Sequence, residues 1–146
     1  MTYLVLDASV IVKWILSDRT TEEDTGKALD ILQAVKDGHL TLQQPPHWLA
    51  EAAAVISRLS PMIAQESVAL LHAMDFPVLI EPEIYQRACH LAIELQQHLF
   101  DTLYHAVALC QPNTMLVTAD DRYYRKASKI GSIVRLRDYP LERFSS

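Results

Sequence analysis

Four carboxylates stand where a carboxylate needs a reason. Asp7 interrupts the apolar stretch LVLDASVIVKW (residues 4–14) directly after a strand-like run, and Asp120 follows TMLVTA in the same manner. Glu51 lies in HWLAEAAAV, a helical pattern dominated by Ala, Leu and Val. An unpaired ionised carboxylate is costly in such a setting and requires a cation, a hydrogen-bond partner or solvent. Asp101 opens a helix whose apolar face is Leu103, Ala106, Val107 and Cys110. Taken singly, each acid at a segment end has an ordinary explanation, Asp7 and Asp101 as helix N-caps and Asp120 as a turn residue. Brought together, the four make a cluster that repels itself unless hard cations neutralise it. All-oxygen ligation with open water positions suits Mg2+ or Mn2+.

Other polar residues fall beside these acids. Ser9 and Thr118 flank the two acids at strand ends and either bond to metal-bound water or phosphate, or merely cap. Asp121 is a substitute for Asp120 in the ADD triplet, or the N-terminal anion of the next helix. His105 lies one turn from Asp101, but no H-E-x-x-H or paired-His pattern accompanies it, so a ligand role is not favoured. Cys89 and Cys110 show no C-x-x-C spacing and sit in helix-like apolar patterns; they are expected to be buried free thiols. No Gly-rich phosphate loop is present.

The elements that must carry these residues alternate. Residues 3–6 read as a short buried strand and 8–16 as the helix after it. Thr20, Thr21 and two glutamates open a second helical pattern with Ala28, Leu29, Leu32 and Val35 at helical spacing and Gly38 as its stop. A weak strand is expected at 40–43, then helices over HWLAEAAAVISRL and up to Met74, with a third strand at 77–80. Ile84, Ala88, Leu91, Leu95 and Leu99 keep one long helical stripe, followed by the helix DTLYHAVALC. Residues 115–118 are a clear strand, 121–129 a helix and 132–136 a fifth strand. Short apolar strands separated by helices of ten or more residues imply parallel pairing with helical crossovers, hence an α/β fold. Ligands in such sheets sit beyond the carboxyl ends of the strands, the edge that Asp7 and Asp120 share.

With 146 residues and 50% hydrophobic content, the chain is expected to form one domain over 1–146. It has no apolar stretch of the roughly 18 residues a membrane span needs, and Asp7 falls where a signal peptide would stay apolar, so a cytoplasmic location is expected. The formal charge of −5 argues mildly against a nucleic-acid partner. Two divalent ions would bring it to −1, and Arg122, Arg125, Lys126, Lys129, Arg135 and Arg137 form a locally cationic end with no acid among them. Trp14 and Trp48 are expected in the core, with an apolar groove for a partner helix as the alternative.

LVLDASVIVKW, HWLAE, FDTLYHAVALC and MLVTADDRYYRKA, in that order and at these intervals, resemble the four acidic motifs of PIN-domain ribonucleases, and most of all the VapC toxins of bacterial toxin–antitoxin pairs. The resemblance covers nearly the whole chain. It implies a three-layer fold with a parallel sheet of about five strands flanked by helices, a Mg2+-dependent endoribonuclease acting on RNA, a homodimer, and inhibition by a VapB-type antitoxin. It also implies that Asp7, Glu51, Asp101 and Asp120 are the metal-binding and catalytic acids, with Ser9 and Thr118 as the neighbouring hydroxyls. Arg122, Arg125 and Lys126 are candidate RNA contacts, or else contacts to a second copy or an acidic partner.

Three other readings stay open on sequence. A PIN-fold nuclease of RNA processing outside toxin–antitoxin systems would share every motif. A phosphotransfer enzyme acting through Asp7 would usually show D-x-D, whereas Ser9 stands at the third position. A non-catalytic RNA-binding module would not need four acids.

Overall fold

A computed structural model describes residues 2–16 and 23–141. Four parallel strands, β1 (Tyr3–Leu6), β2 (Thr41–Leu42), β3 (Thr114–Thr118) and β4 (Ile133–Arg135), form one sheet in the order β2-β1-β3-β4. β1 is central and its Leu4, Val5 and Leu6 are fully buried, as the continuous apolar run of a parallel strand covered on both faces demands. The register pairs Leu6 with Val117, so the two chains leave the sheet side by side, β1 into Asp7 and β3 into Asp120.

Among the described residues, seven α-helices flank the sheet: α1 (Ala8–Ile15), α2 (Glu23–Lys36), α3 (Trp48–Leu59), α4 (Ala64–Ala73), α5 (Pro82–Leu95), α6 (Leu99–Cys110) and α7 (Asp121–Ala127). The four sequence-derived strands on either side of the acids are present. The expected third strand is not: at 77–80 the contact shrinks to one parallel bridge, Gln44 with Val78. Pro77 O and Leu79 N each bond to the Gln44 backbone at 2.9 Å, but Pro77 has no N–H to give, and Pro45 and Pro46 end the partner strand. The sheet therefore has four strands rather than about five.

A second difference concerns the long helical stripe. α5 stops at Leu95 and Gln96 takes a left-handed conformation (φ 50°), so Leu99 begins α6 instead of ending α5. The four-residue spacing from Leu95 to Leu99 runs across the break and hides it. The helical opening expected at Thr20, Thr21 and Glu22 lies outside the described residues.

Trp14 and Trp48 are both buried, and Trp14 Nε1 donates to Ala28 O at 2.9 Å, tying α1 to α2. The cysteines are free but not buried as expected. Cys89 is exposed because it lies beside the Ile84–Ala88–Leu91 stripe, not on it, and Cys110 is partly exposed at the end of α6. Among the described residues, no helix is long and apolar enough to cross a membrane.

Candidate functional site

Asp7 is the hub. It occupies the N-cap position of α1 without capping it; its side chain faces β3 instead. Ser9 Oγ donates to one carboxylate oxygen and Thr118 Oγ1 to the other, both through very short hydrogen bonds. Each hydroxyl is itself held by backbone, Ser9 by Ala119 N at 2.9 Å and Thr118 by Asp120 N at 3.0 Å. The end of β3 thus fixes both oxygens of an acid at the end of β1.

Gln44 secures the other side of that strand end. Its fully buried amide donates to Leu6 O at 2.8 Å and accepts from Leu6 N at 2.9 Å, standing in for the backbone that β2 no longer offers after Leu42. A polar side chain buried in this way must satisfy both of its ends, and here both partners belong to the residue before Asp7.

The remaining acids come from three other elements. Glu51, in the first turn of α3, accepts from Tyr104 Oη at 3.2 Å, which answers how it survives among alanines. Asp101 lies in the first turn of α6; the N-cap is His98, not Asp101, and Gln97 Nε2 donates to Asp101 Oδ2 at 2.7 Å. Asp120 caps α7 by accepting from Tyr123 N at 3.1 Å. Asp121 turns elsewhere, to an exposed ion pair with Arg137 at 2.7 Å.

Asp7 and Glu51 respond to burial and to the neighbouring acids. Burial raises the pKa of Asp7 to about 6 against the pull of the Ser9 and Thr118 bonds, and the charges of Asp120 and Asp101 push it further upward. Glu51 is raised to about 7, by burial first, despite the Tyr104 bond, with Asp101 and Asp7 adding repulsion. Burial lowers His47 below the usual imidazole value, more than its bond to Phe100 O and the charge of Asp101 raise it. His47 Nε2 donates to Phe100 O at 2.7 Å and lies 3.7 Å from the Glu51 carboxylate. Its Nδ1 is buried without a hydrogen-bond partner among the described residues.

Among those residues, no three His, Cys, Asp or Glu side chains are gathered as a ready metal cage, since each acid is held by a protein donor. The donor set nonetheless fits a hard divalent cation. It is all oxygen, each carboxylate keeps unused lone pairs, and a cation would offset both the burial of Asp7 and Glu51 and the smaller repulsion from their fellow acids.

Arg122 and Lys126 line a cavity of about 300 Å3 together with Gln96, Gln97, His98 and Asp120. Arg125 is exposed and does not line it. The cationic end is partly self-neutralised: Arg135 pairs with Asp138 at 2.8 Å and lies over the Tyr124 ring, and Arg137 pairs with Asp121. His105 is buried structure, its ring nitrogens 2.9 Å from Tyr123 Oη and 2.7 Å from Gly131 O. Gln44, His47, Gln97, Phe100 and Tyr104 were not singled out by sequence, because amides and aromatics are unremarkable wherever they fall; only the fold makes them neighbours of the acids.

A family model described as PIN domain matches residues 4–129, a span that includes all four acids. No curated protein matches the chain.

Proposed function

The chain belongs to the PIN-domain family, generally nucleases that usually bind divalent metals, and on that premise we propose that it is a Mg2+-dependent endoribonuclease, the toxin of a VapBC-type pair. The observation that carries the proposal is the convergence of acids from the ends of β1 and β3 and the first turns of α3 and α6 on one another's charge. Asp7, Glu51, Asp101 and Asp120 would hold Mg2+ (or Mn2+), which when bound supplies Lewis-acid charge to water and to a scissile phosphate. The chain's own residues prepare that arrangement. Ser9 and Thr118 lock the Asp7 rotamer, Tyr104 holds Glu51, and Gln97 holds Asp101. Arg122 and Lys126 draw RNA to the cavity beside Asp120, and Arg125 adds charge at its margin.

Ser9 stands where a phosphotransfer enzyme would usually place its second Asp and donates to Asp7, so that alternative lacks its general acid at this position. For the VapB-type antitoxin, an apolar cavity of about 290 Å3 lined by Trp14, Ile15, Leu32, Leu70, Leu71 and Met74 is of the kind an amphipathic helix fills. Tyr85 and Ile93, exposed along α5, are apolar surface for the homodimer.

The test is cleavage of a mixed RNA pool by folded wild type and Asp7→Asn, with Mg2+ and with EDTA. Metal-dependent cutting with 5′-phosphate and 3′-hydroxyl ends, lost in the variant, is expected; cyclic phosphate ends or cutting in EDTA would refute it. RNA bound but never cut would identify a binding module. Cutting that no co-encoded small protein suppresses would place the chain among processing nucleases instead of toxins.

A further inference from the structure

Aromatic rings gather at the start of α6, beside Asp101 and the Tyr104 that bonds to Glu51. Phe100, the residue before Asp101, is half exposed (50%) although it opens a helix that is otherwise buried along most of its length. Its ring centroid is 4.8 Å from that of His98 and 5.2 Å from that of His47, whose ring in turn is 4.7 Å from Tyr104. The arrangement is fixed from the backbone: Phe100 N donates to His98 Nδ1 at 3.1 Å, and His47 Nε2 donates to Phe100 O at 2.7 Å. The left-handed turn at Gln96 is what brings His98 to this place.

His98 also lines the polar cavity that holds Arg122, Lys126 and Asp120. Lys126 Nζ is anchored by neutral oxygens, Gln97 Oε1 at 3.0 Å and Gln96 O at 3.3 Å, and Gln97 reaches Asp101 with its other end. A half-exposed benzene ring beside imidazoles, one of which lines a cavity with two cations, matches a ligand that is planar, aromatic and anionic at once. An apolar partner helix would cover the charges of Arg122 and Lys126 without offering them an anion. Single-stranded nucleic acid meets every requirement, since its bases stack on aromatic faces while a cationic groove follows its backbone.

We propose that Phe100, half exposed beside His98 and His47, is a stacking platform for the base of the nucleotide next to the scissile phosphate, whose own phosphate lies in the Arg122–Lys126 cavity. This rests on the endoribonuclease reading above, and deepens it by naming a residue of this chain that positions the substrate.

Binding of a fluorescein-labelled single-stranded RNA, measured by anisotropy in EDTA, tests the platform without the cleavage reaction. Phe100→Ala is expected to weaken binding roughly 5- to 150-fold, Phe100→Leu nearly as much, and Phe100→Trp little, because only the aromatic face stacks. Lys126→Gln is expected to weaken binding and lower the salt slope by about one. Leu and Ala variants that bind like wild type overturn the proposal, as does Leu restoring affinity as well as Trp. A duplex of the same sequence binding as tightly as the single strand also overturns it. Adding Mg2+ then separates the two readings: aromatic-dependent binding without cleavage leaves the platform standing and removes the nuclease, whereas cleavage indifferent to Phe100 does the reverse. Wild type that binds no RNA removes both.

Discussion

Asp7→Asn should make the metal-free protein more stable at neutral pH. The fold holds Asp7 with a pKa raised from 3.8 to about 6, chiefly by burial and with repulsion from Asp120 and Asp101. An acid whose folded pKa exceeds its unfolded value binds more protons in the native state across that interval, so stability falls as pH rises through it. At roughly 1.4 kcal/mol per pH unit, the loss attributable to Asp7 is about 3 kcal/mol, developed between about pH 4 and 6 and constant above. Asparagine cannot ionise. Its carbonyl oxygen still accepts from one hydroxyl, and its amide donates to the other once that hydroxyl turns, so the Ser9 and Thr118 contacts survive in weaker form. Urea unfolding of both proteins in EDTA at pH 4, 5, 6 and 7.5 gives the difference in stability at each pH. That difference cancels the many other acids and isolates this one. It should shift by about 3 kcal/mol in favour of Asn between the ends of the range. Mg2+ should then stabilise wild type and not the variant, because a cation that binds only the native state adds about 2.7 kcal/mol at a hundred times its Kd. A difference that stays flat from pH 4 to 7.5, or a variant less stable at both ends, would refute the picture of an acid held against its own charge.

Glu51→Gln should behave alike over a higher window, between about pH 4.5 and 7, following its pKa of about 7; urea midpoints that do not move with pH in the wild-type comparison would count against it. Gln44→Leu leaves Leu6 N and O unpaired in the core and should cost about 2–4 kcal/mol by urea unfolding, with a loss under about 1 kcal/mol contradicting the strand-mimic role. Thr118→Val removes one donor from Asp7, so its pKa, followed by NMR, should rise above about 6; no movement would show that the hydroxyl does not steady the anion. His105→Phe should destabilise by about 1–3 kcal/mol through the orphaned Tyr123 Oη and Gly131 O, while cleavage per folded molecule stays at the wild-type level; a selective loss of cleavage would give that ring a part in the reaction.

The acids were legible in the sequence because each is locally out of place. An Asp at the end of LVL or a Glu among alanines is an anomaly detectable within one turn of chain, and a fold that keeps it must supply an edge, a partner or an ion. The parallel order of the sheet was legible for a similar reason, since helices between short apolar strands leave few ways to pair them. What escaped was whatever depended on two distant segments at once. Residues 77–80 have the composition of a strand, yet Val78 and Ile80 remain 42% and 65% exposed, because the prolines on both sides of the pairing permit one bridge and no ladder. Cys89 has helical context but misses the buried stripe by one position.

The residues around the acids escaped for a different reason, and it bears on how the site works. Gln44 meets Leu6 across 38 positions of chain, Tyr104 meets Glu51 across 53, and Thr118 meets Asp7 across 111. None of these partners carries a charge, so none disturbs its own neighbourhood in sequence; each matters only through the carboxylate or strand end it reaches. A cluster of like charges held by neutral donors keeps its negative potential, whereas lysines or arginines in those places would have cancelled it within the protein. The neutral partners thus leave Asp7 and Glu51 with raised pKa values and unrelieved repulsion. That repulsion adds to the larger cost of burying the two acids, and under the proposed function it is what a bound cation would relieve.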